Sequence, residues 1–182
     1  MLEKRIRLIE LKRFDRQGAA LIRNVLERSD SGSGNIVDLR MYMGGNFESF
    51  VEITKLLVNR QVAVTLQTRD GGSPFIAGSP DSAMAGQCVY IINGSTILYG
   101  ELLAHLLKNA GARLVGQRTT GFTPRLNQVE LGNGDSVLIT EGVFNIEGQS
   151  TLGSGVDPSF HMETDNSALL YAKCIALMLE KG

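Results

Sequence analysis

Groups that could do chemistry gather at two turns, each between a short apolar segment and a helical pattern. The first turn, Asn-Gly-Ser-Thr, separates the buried-strand pattern Cys88–Ile92 from apolar residues that recur at helical spacing over residues 97–109. This helix carries Glu101 and His105, which lie four residues apart and therefore on one face. A strand, a sharp turn and a helix place backbone N–H groups and a helix N-terminus at the mouth of a site. We therefore predict a site at this turn.

The second turn joins the apolar strand of NIVDLR to a helix that begins near Phe47. Its paired glycines, Gly44 and Gly45, could offer backbone N–H groups to an oxyanion, or could simply form a turn that requires positive φ. Met41 and Met43 beside them could line an adaptable apolar cavity, or could be ordinary turn packing.

Four side chains near these turns are candidate catalytic groups: Tyr42, Tyr99, Glu101 and His105. Each tyrosine flanks one turn and carries a hydroxyl, although half-buried tyrosines are common at turns. Glu101 is expected to brace the helix N-terminus, where a carboxylate is favourable, and it could act as an acid only if burial raised its pKa. A histidine such as His105 is more often a satisfied structural residue than a catalyst.

Composition excludes several classes of function. The chain has 182 residues, 43% of them hydrophobic, and a formal net charge of −1. Because there is no basic stripe, we expect no nucleic-acid partner, and because no apolar run is long enough to span a bilayer, we expect no membrane partner. We predict neither a metal site nor a cofactor. Charges run through the apolar N-terminal residues, unlike in a signal peptide, which predicts a cytoplasmic protein and leaves a trimmed secreted precursor open.

Strands and helices alternate through the first two thirds of the chain, which predicts one α/β domain over residues 1–182 with largely parallel pairing. Residues 69–87 are rich in Gly, Ser, Pro and Asp without periodicity, so we predict a lid, a binding segment or a disordered loop there. Asn133 and Gly134 predict the turn of a β-hairpin. Asp38 and Arg40, at the end of the NIVDLR strand, are expected to form a structural ion pair.

Four motifs, in order, resemble the core of the C-terminal-processing serine proteases, peptidase family S41. They are NIVDLRMYMGGNFESFVEITKLL, IINGSTILYGELLAHLLKNAGARLVGQRTTG, LGNGDS and GVDP. In that family an apolar strand ends in D-L-R before a loop with two glycines, and a second strand leads through N-G into a helix headed by Glu. The resemblance extends from about Ile6 to Pro158. It implies the ClpP/crotonase-like α/β core of these proteases without their usual PDZ domain, and it makes a homo-oligomer one expectation.

The resemblance places apolar residues where the family has its catalytic groups. The family's nucleophilic Ser lies three residues before the Glu that heads the helix, a position held here by Leu98. Its Lys base directly follows the T-x-G motif, at Phe122, and the Gln that supports the Lys lies four residues further on, at Leu126. Neither Leu nor Phe can attack a carbonyl or take a proton, so we expect the family's chemistry to be lost. These residues, with Thr119, could line a hydrophobic pocket or could fill a dead site.

Three functions remain open. The first, which we favour, is a retasked enzyme that binds a hydrophobic small molecule and promotes a non-hydrolytic step, such as cyclisation or isomerisation, at the glycine turn. The second is a pseudoprotease that binds a peptide or an apolar ligand without turning it over. The third is a serine-type peptidase whose nucleophile is displaced, for example to Ser95 or Thr96.

Overall fold

The computed structural model describes residues 6–28, 34–41, 43–82 and 88–179. Within these ranges the strands are, in chain order, β1 (Ile6–Glu10), β2 (Gly34–Asp38), β3 (Val62–Thr68), β4 (Gly71–Ala77), β5 (Cys88–Ile92), β6 (Arg113–Gly116), β7 (Pro124–Glu130), β8 (Ser136–Ile146), β9 (Gln149–Ser150) and β10 (Phe160–His161). The helices are α1 (Arg16–Glu27), α2 (Phe47–Leu57), α3 (Tyr99–Asn109) and α4 (Asp165–Leu179). In the described ranges, no helix combines the length and the apolar composition that crossing a bilayer requires.

The first sheet is parallel throughout and has the strand order β1-β2-β5-β6-β10. Its central strands consist of continuous apolar residues because helices cover both faces of the sheet. Helices α1, α2 and α3 share one hydrophobic cluster with Val37 and Tyr90, whereas α4 packs on the other face with Ile36 and Val89. Since β2 and β5 are neighbours in parallel register, their carboxyl ends meet at one edge of the sheet. Both predicted turns follow these ends.

The second sheet is antiparallel, with the strand order β4-β3-β8-β7. Its inner face contributes Val64 and Phe144 to the cluster that α2 and α3 cover. The predicted hairpin at Asn133 and Gly134 is confirmed, since β7 and β8 pair with each other on either side of that turn. The pairing of β8 with β3 ends at Gly142, so residues 126–141 continue as a two-stranded ribbon. We call this segment the ribbon.

The segment predicted to be irregular, residues 69–87, contains a strand. Gly71–Ala77 forms β4 and pairs with β3 along its whole length, so the prediction of a long unstructured loop is wrong there. The sequence did not indicate this strand because it contains Gly71, Gly72 and Pro74, and Gly and Pro are depleted in strands. Pro74 is tolerated because β4 lies at the edge of its sheet. Residues 83–87 lie outside the described residues, and closure of this segment over a site stays a prediction.

Candidate functional site

Leu98 stands at the head of α3 in a backbone conformation that L-residues rarely adopt. Its φ is 53° and its ψ is −125°. Its N–H donates a hydrogen bond of 2.7 Å to the carbonyl oxygen of Phe122. A strained residue on a sharp strand-to-helix turn is the arrangement of a nucleophile elbow, and such strain costs about 1–3 kcal/mol and persists only where the surroundings enforce it. Leu98 therefore stands at the apex of a strained strand-to-helix turn.

Hydrogen bonds tie the turn before Leu98 to the neighbouring strand. The hydroxyl of Thr96 is buried; it donates to the carbonyl oxygen of Leu39 at 3.0 Å and accepts from the N–H of Asn93 at 3.1 Å. The side-chain oxygen of Asn93 in turn accepts from the N–H of Ser95 at 2.8 Å. The Thr96 hydroxyl is thus a structural group, whereas the side chain of Ser95 is exposed.

Glu101 lies on α3 with none of its surface exposed. Its carboxylate accepts a hydrogen bond from the hydroxyl of Thr119, one of 2.6 Å from the N–H of Gly121 and one of 2.7 Å from the N–H of Phe122. The Thr119 hydroxyl also accepts from the N–H of Val156 at 2.7 Å. Glu101 therefore braces the loop over residues 119–122, whereas the sequence had predicted a brace for the N-terminus of its own helix.

The glycine turn lies against the chain that leaves β1. The N–H of Phe14 donates to the carbonyl oxygen of Gly44 at 2.9 Å, and the N–H of Asn46 donates to that of Phe14 at 2.8 Å. Gly45 has a φ of 154°, and a Cβ there would lie 2.3 Å from the Phe14 carbonyl oxygen, so only glycine allows this approach. Neither Gly44 nor Gly45 donates its own N–H to another described residue, and a Cβ on Gly44 would meet nothing within 4 Å. Two N–H groups and open space are thus available.

Tyr99 belongs to an aromatic cluster. Its ring stacks on that of Phe50 with centroids 4.9 Å apart and 17° between the planes. Two further rings, of Phe14 and Phe144, have centroids 6.3 Å from its own. Burial raises the pKa of the Tyr99 hydroxyl, against the opposing charge of Arg125. Tyr42, the other tyrosine candidate, lies outside the described residues.

His105 is half-buried on α3, one turn beyond Glu101. Burial lowers the pKa of its imidazole, a backbone hydrogen bond with Ser154 opposes that shift, and the charge of Lys108 adds to it. Its Nε2 atom is buried and finds no hydrogen-bond partner in the described ranges. No hydrogen bond joins it to Ser95 within those ranges, so the structure does not assemble a Ser–His pair.

The apolar candidates at the turns are open to solvent. Met41 and Met43 are each 58% exposed and Phe122 is 45% exposed, while Leu98 and Leu126 are half-buried. Leu98 and Phe122 meet through the backbone hydrogen bond described above, and Leu126 lies further along in β7, opposite Thr140. These residues offer an apolar surface at the turns, where the sequence left a pocket wall and a filled site as alternatives.

Sequence reasoning missed a polar cavity of about 350 Å³ at the carboxyl edge of the first sheet. It is lined by Glu10, Lys12, Asp38, Arg40, Met41, Asn93, Ser95, Asp165 and Asn166. The predicted pair is confirmed, since Arg40 donates from Nε to Asp38 Oδ1 at 2.9 Å and from Nη2 to Oδ2 at 2.7 Å. Asn93 donates to Asp165, which lies 72 residues away, at 3.1 Å. The sequence feature that could have predicted this cavity is the set of polar residues at the ends of β1, β2 and β5.

A family model described as Peptidase family S41 matches residues 5–162. The chain belongs to this family. The resemblance inferred from the four motifs is thereby confirmed, together with the α/β core of an S41 peptidase.

Two curated relatives carry names that describe carboxyl-terminal processing. The chain is 26% identical over 135 residues to the carboxyl-terminal-processing protease of Synechocystis sp., a match that covers 72% of this chain and 32% of the relative. It is 27% identical over 141 residues to carboxyl-terminal-processing peptidase 2, chloroplastic, of Arabidopsis thaliana, covering 75% of this chain and 27% of the relative. The chain thus spans about a third or less of the length of these relatives.

Solved structures extend the same likeness to the whole fold. The photosystem II D1 C-terminal processing protease superposes with a TM-score of 0.70 at 25% identity, covering 89% of this chain and 45% of that one. The tricorn protease superposes with a TM-score of 0.65 at 21% identity, covering 97% of this chain and 18% of that one. At 21% identity, the match with the tricorn protease shows a shared fold only.

Glu101→Gln is expected to lower the free energy of unfolding by about 3 kcal/mol, because an amide cannot accept at both of its atoms and leaves buried donors unpaired. Urea unfolding measures this loss, and hydrogen exchange at the amides of Gly121 and Phe122 should accelerate. Glu48→Gln is the matched control, since Glu48 occupies the first turn of α2 but is exposed. Equal unfolding midpoints for the two variants would contradict the brace.

The buried imidazole of His105 predicts a pH dependence of stability. Its pKa lies below the ordinary 6.5 in the folded state, so the unfolded chain binds the proton more readily and stability falls as the pH drops below about 6.5. In His105→Gln the free energy of unfolding should fall less steeply between about pH 7 and about pH 5. The exposed His161→Gln is the control, and an unchanged slope in His105→Gln would rule the interpretation out.

Proposed function

We propose that the chain is a non-hydrolytic S41 domain that binds a peptide or an apolar small molecule at the head of α3. The observation that carries the proposal is Leu98, because the strained turn holds a side chain that cannot attack a carbonyl. Strain of this kind persists only where contacts enforce it, and the Glu101 brace and the Phe122 carbonyl supply those contacts. A catalytic backbone without its nucleophile suits binding better than turnover.

A displaced nucleophile finds little support near the turn. An attacking hydroxyl needs a neighbouring base to remove its proton. The hydroxyls of Thr96 and Thr119 are buried and each is engaged in two hydrogen bonds with structural partners. Ser95 is exposed, and the sequence has no Lys between Lys108 and Lys173. The lysine that shares a cavity with Ser95, Lys12, forms an ion pair of 3.3 Å with Glu10. We therefore place the displaced peptidase last.

A retasked enzyme with a cyclisation or isomerisation step is the second candidate, and the glycine turn favours it. Among the described residues the N–H groups of Gly44 and Gly45 have no acceptor, and a pair of such donors can stabilise an oxyanion or an enolate. The step would also need a group that moves a proton. Glu101 is engaged by three donors and Tyr99 is held in the aromatic cluster with a raised pKa. Binding without turnover therefore comes first.

The exposed apolar side chains at the turns favour a ligand with apolar groups. Large apolar groups that stay exposed around a site are typical of binding surfaces, and methionines adapt to ligands of different shape. A ligand with aliphatic or aromatic groups would contact Phe122, Met41 and Met43. A carbonyl oxygen on the same ligand would accept from the N–H groups of the glycine turn. An unfolded peptide that ends in small apolar residues meets both requirements.

Binding of such a peptide, labelled with a fluorophore and followed by anisotropy, tests the proposal. Phe122→Asp should weaken binding about tenfold or more, since it replaces an apolar contact with a charge and leaves the backbone bonds of residue 122 in place. Leu170→Asp is the control, because Leu170 is 66% exposed on α4 and lies on the opposite face of the first sheet. Equal binding by the two variants, or no binding by the unmodified chain, would overturn the proposal.

A further inference from the structure

The chain contains two Asn-Gly pairs, Asn93-Gly94 before α3 and Asn133-Gly134 at the tip of the ribbon. In such a pair the glycine nitrogen can attack the side-chain carbonyl carbon of the asparagine, because glycine has no side chain to obstruct the approach. The nucleophile and its target belong to one chain, so the rate depends on how the fold holds them. The two pairs can therefore be compared atom by atom.

The two asparagine side chains are held in the same way. The Oδ1 atom of Asn93 accepts from the N–H of Ser95 at 2.8 Å, and its Nδ2 atom donates to Asp165 at 3.1 Å. In the ribbon, the Oδ1 atom of Asn133 accepts from the N–H of Asp135 at 3.1 Å, and its Nδ2 atom donates to the carboxylate of the same residue. In both pairs a backbone donor faces the oxygen on which negative charge develops during the attack.

The two attacking nitrogens differ. The N–H of Gly134 donates to the carbonyl oxygen of Leu131 at 3.0 Å, and this hydrogen bond must break before the nitrogen can attack. The N–H of Gly94 has no acceptor in the part of the chain that the structure describes. Gly94 is also exposed, and a Cβ built on it would meet nothing within 4 Å. The fold therefore restrains the nucleophile in the ribbon and leaves the one before α3 available.

We propose that Asn93 is a deamidation site of the folded chain. The nitrogen of Gly94 forms a bond to Cγ of Asn93, the bond from Cγ to Nδ2 breaks, and Nδ2 leaves as ammonia with the proton that Gly94 loses. The resulting cyclic imide adds water and opens to an aspartate or to an isoaspartate. Asn93 and Ser95 line the polar cavity of about 350 Å³, which gives that water access to the imide.

Deamidation would change the turn that precedes Leu98. A carboxylate at position 93 cannot donate to Asp165 and repels its charge. An isoaspartate also adds a carbon to the main chain within the turn, whose ends are joined by hydrogen bonds between residue 93 and Thr96. Both products should loosen the head of α3. The modification itself is independent of the proposed function, whereas its effect on peptide binding rests on that function.

Peptide mapping by mass spectrometry, on the full chain kept folded in mildly alkaline buffer, tests the proposal. Asn93 should be converted about fivefold faster than Asn133, the factor that one hydrogen bond of ordinary strength is worth. In urea, where no fold distinguishes the two pairs, the two rates should be equal. Gly94→Ala is the matched variant, because position 94 has room for a Cβ and a φ outside the left-handed region. Asn93 should stay intact in this variant, because the added methyl group obstructs the attack.

Anisotropy of the labelled peptide measures the effect on binding. The unmodified chain should lose binding in proportion to the converted fraction as it ages, whereas aged Gly94→Ala should keep the affinity of the fresh variant. The proposal is overturned if Asn93 stays intact in the folded chain, if Asn133 reacts faster there, or if the difference persists in urea. Undiminished binding by the converted chain would refute the effect on the turn. A fresh chain that binds no peptide would contradict the proposed function instead, while the mapping still decides the modification.

Discussion

The candidate site depends on one buried carboxylate. Glu101 leaves α3 to accept hydrogen bonds from Thr119, Gly121 and Phe122, and the carbonyl of Phe122 then accepts the N–H of Leu98 at the head of the same helix. The circuit closes on itself, so the loop and the strained residue hold each other in place. A strained φ at a leucine would relax without such a circuit, because the strain alone costs about 1–3 kcal/mol.

This circuit is built without the side chain at the apex of the turn. Its members are backbone groups, a threonine hydroxyl and Glu101, while the side chains of Leu98 and Phe122 take no part in the hydrogen bonds. The nucleophile and base of an S41 peptidase could therefore be exchanged for apolar residues at little structural cost. What would remain is a preformed turn, two glycine N–H groups without an acceptor among the described residues, and exposed apolar side chains, which suit the capture of a ligand.

The parts of the fold that follow from local pattern were predictable. The strand, turn and helix around residues 88–109 follow from hydrophobic periodicity, and the β7–β8 hairpin follows from Asn133-Gly134. Strand β4 was not predictable, because Gly71, Gly72 and Pro74 form a strand only with β3 beside them. The hydrogen-bond partners of Glu101 and the polar cavity were not predicted either. The Glu101–Thr119 and Asn93–Asp165 contacts that form them join residues far apart in the sequence. Local propensity carries no information about such contacts.

The most direct measurement is mass spectrometry of an unfolded peptide, ending in small apolar residues, after incubation with the purified chain. We expect the unmodified chain to leave the peptide intact. The triple variant Leu98→Ser, Phe122→Lys, Leu126→Gln, in which the strained turn carries a hydroxyl and an amine, should release fragments. Fragments produced by the unmodified chain and lost in Ser95→Ala would contradict a non-hydrolytic function, because hydrolysis would then proceed from a residue beside the strained turn.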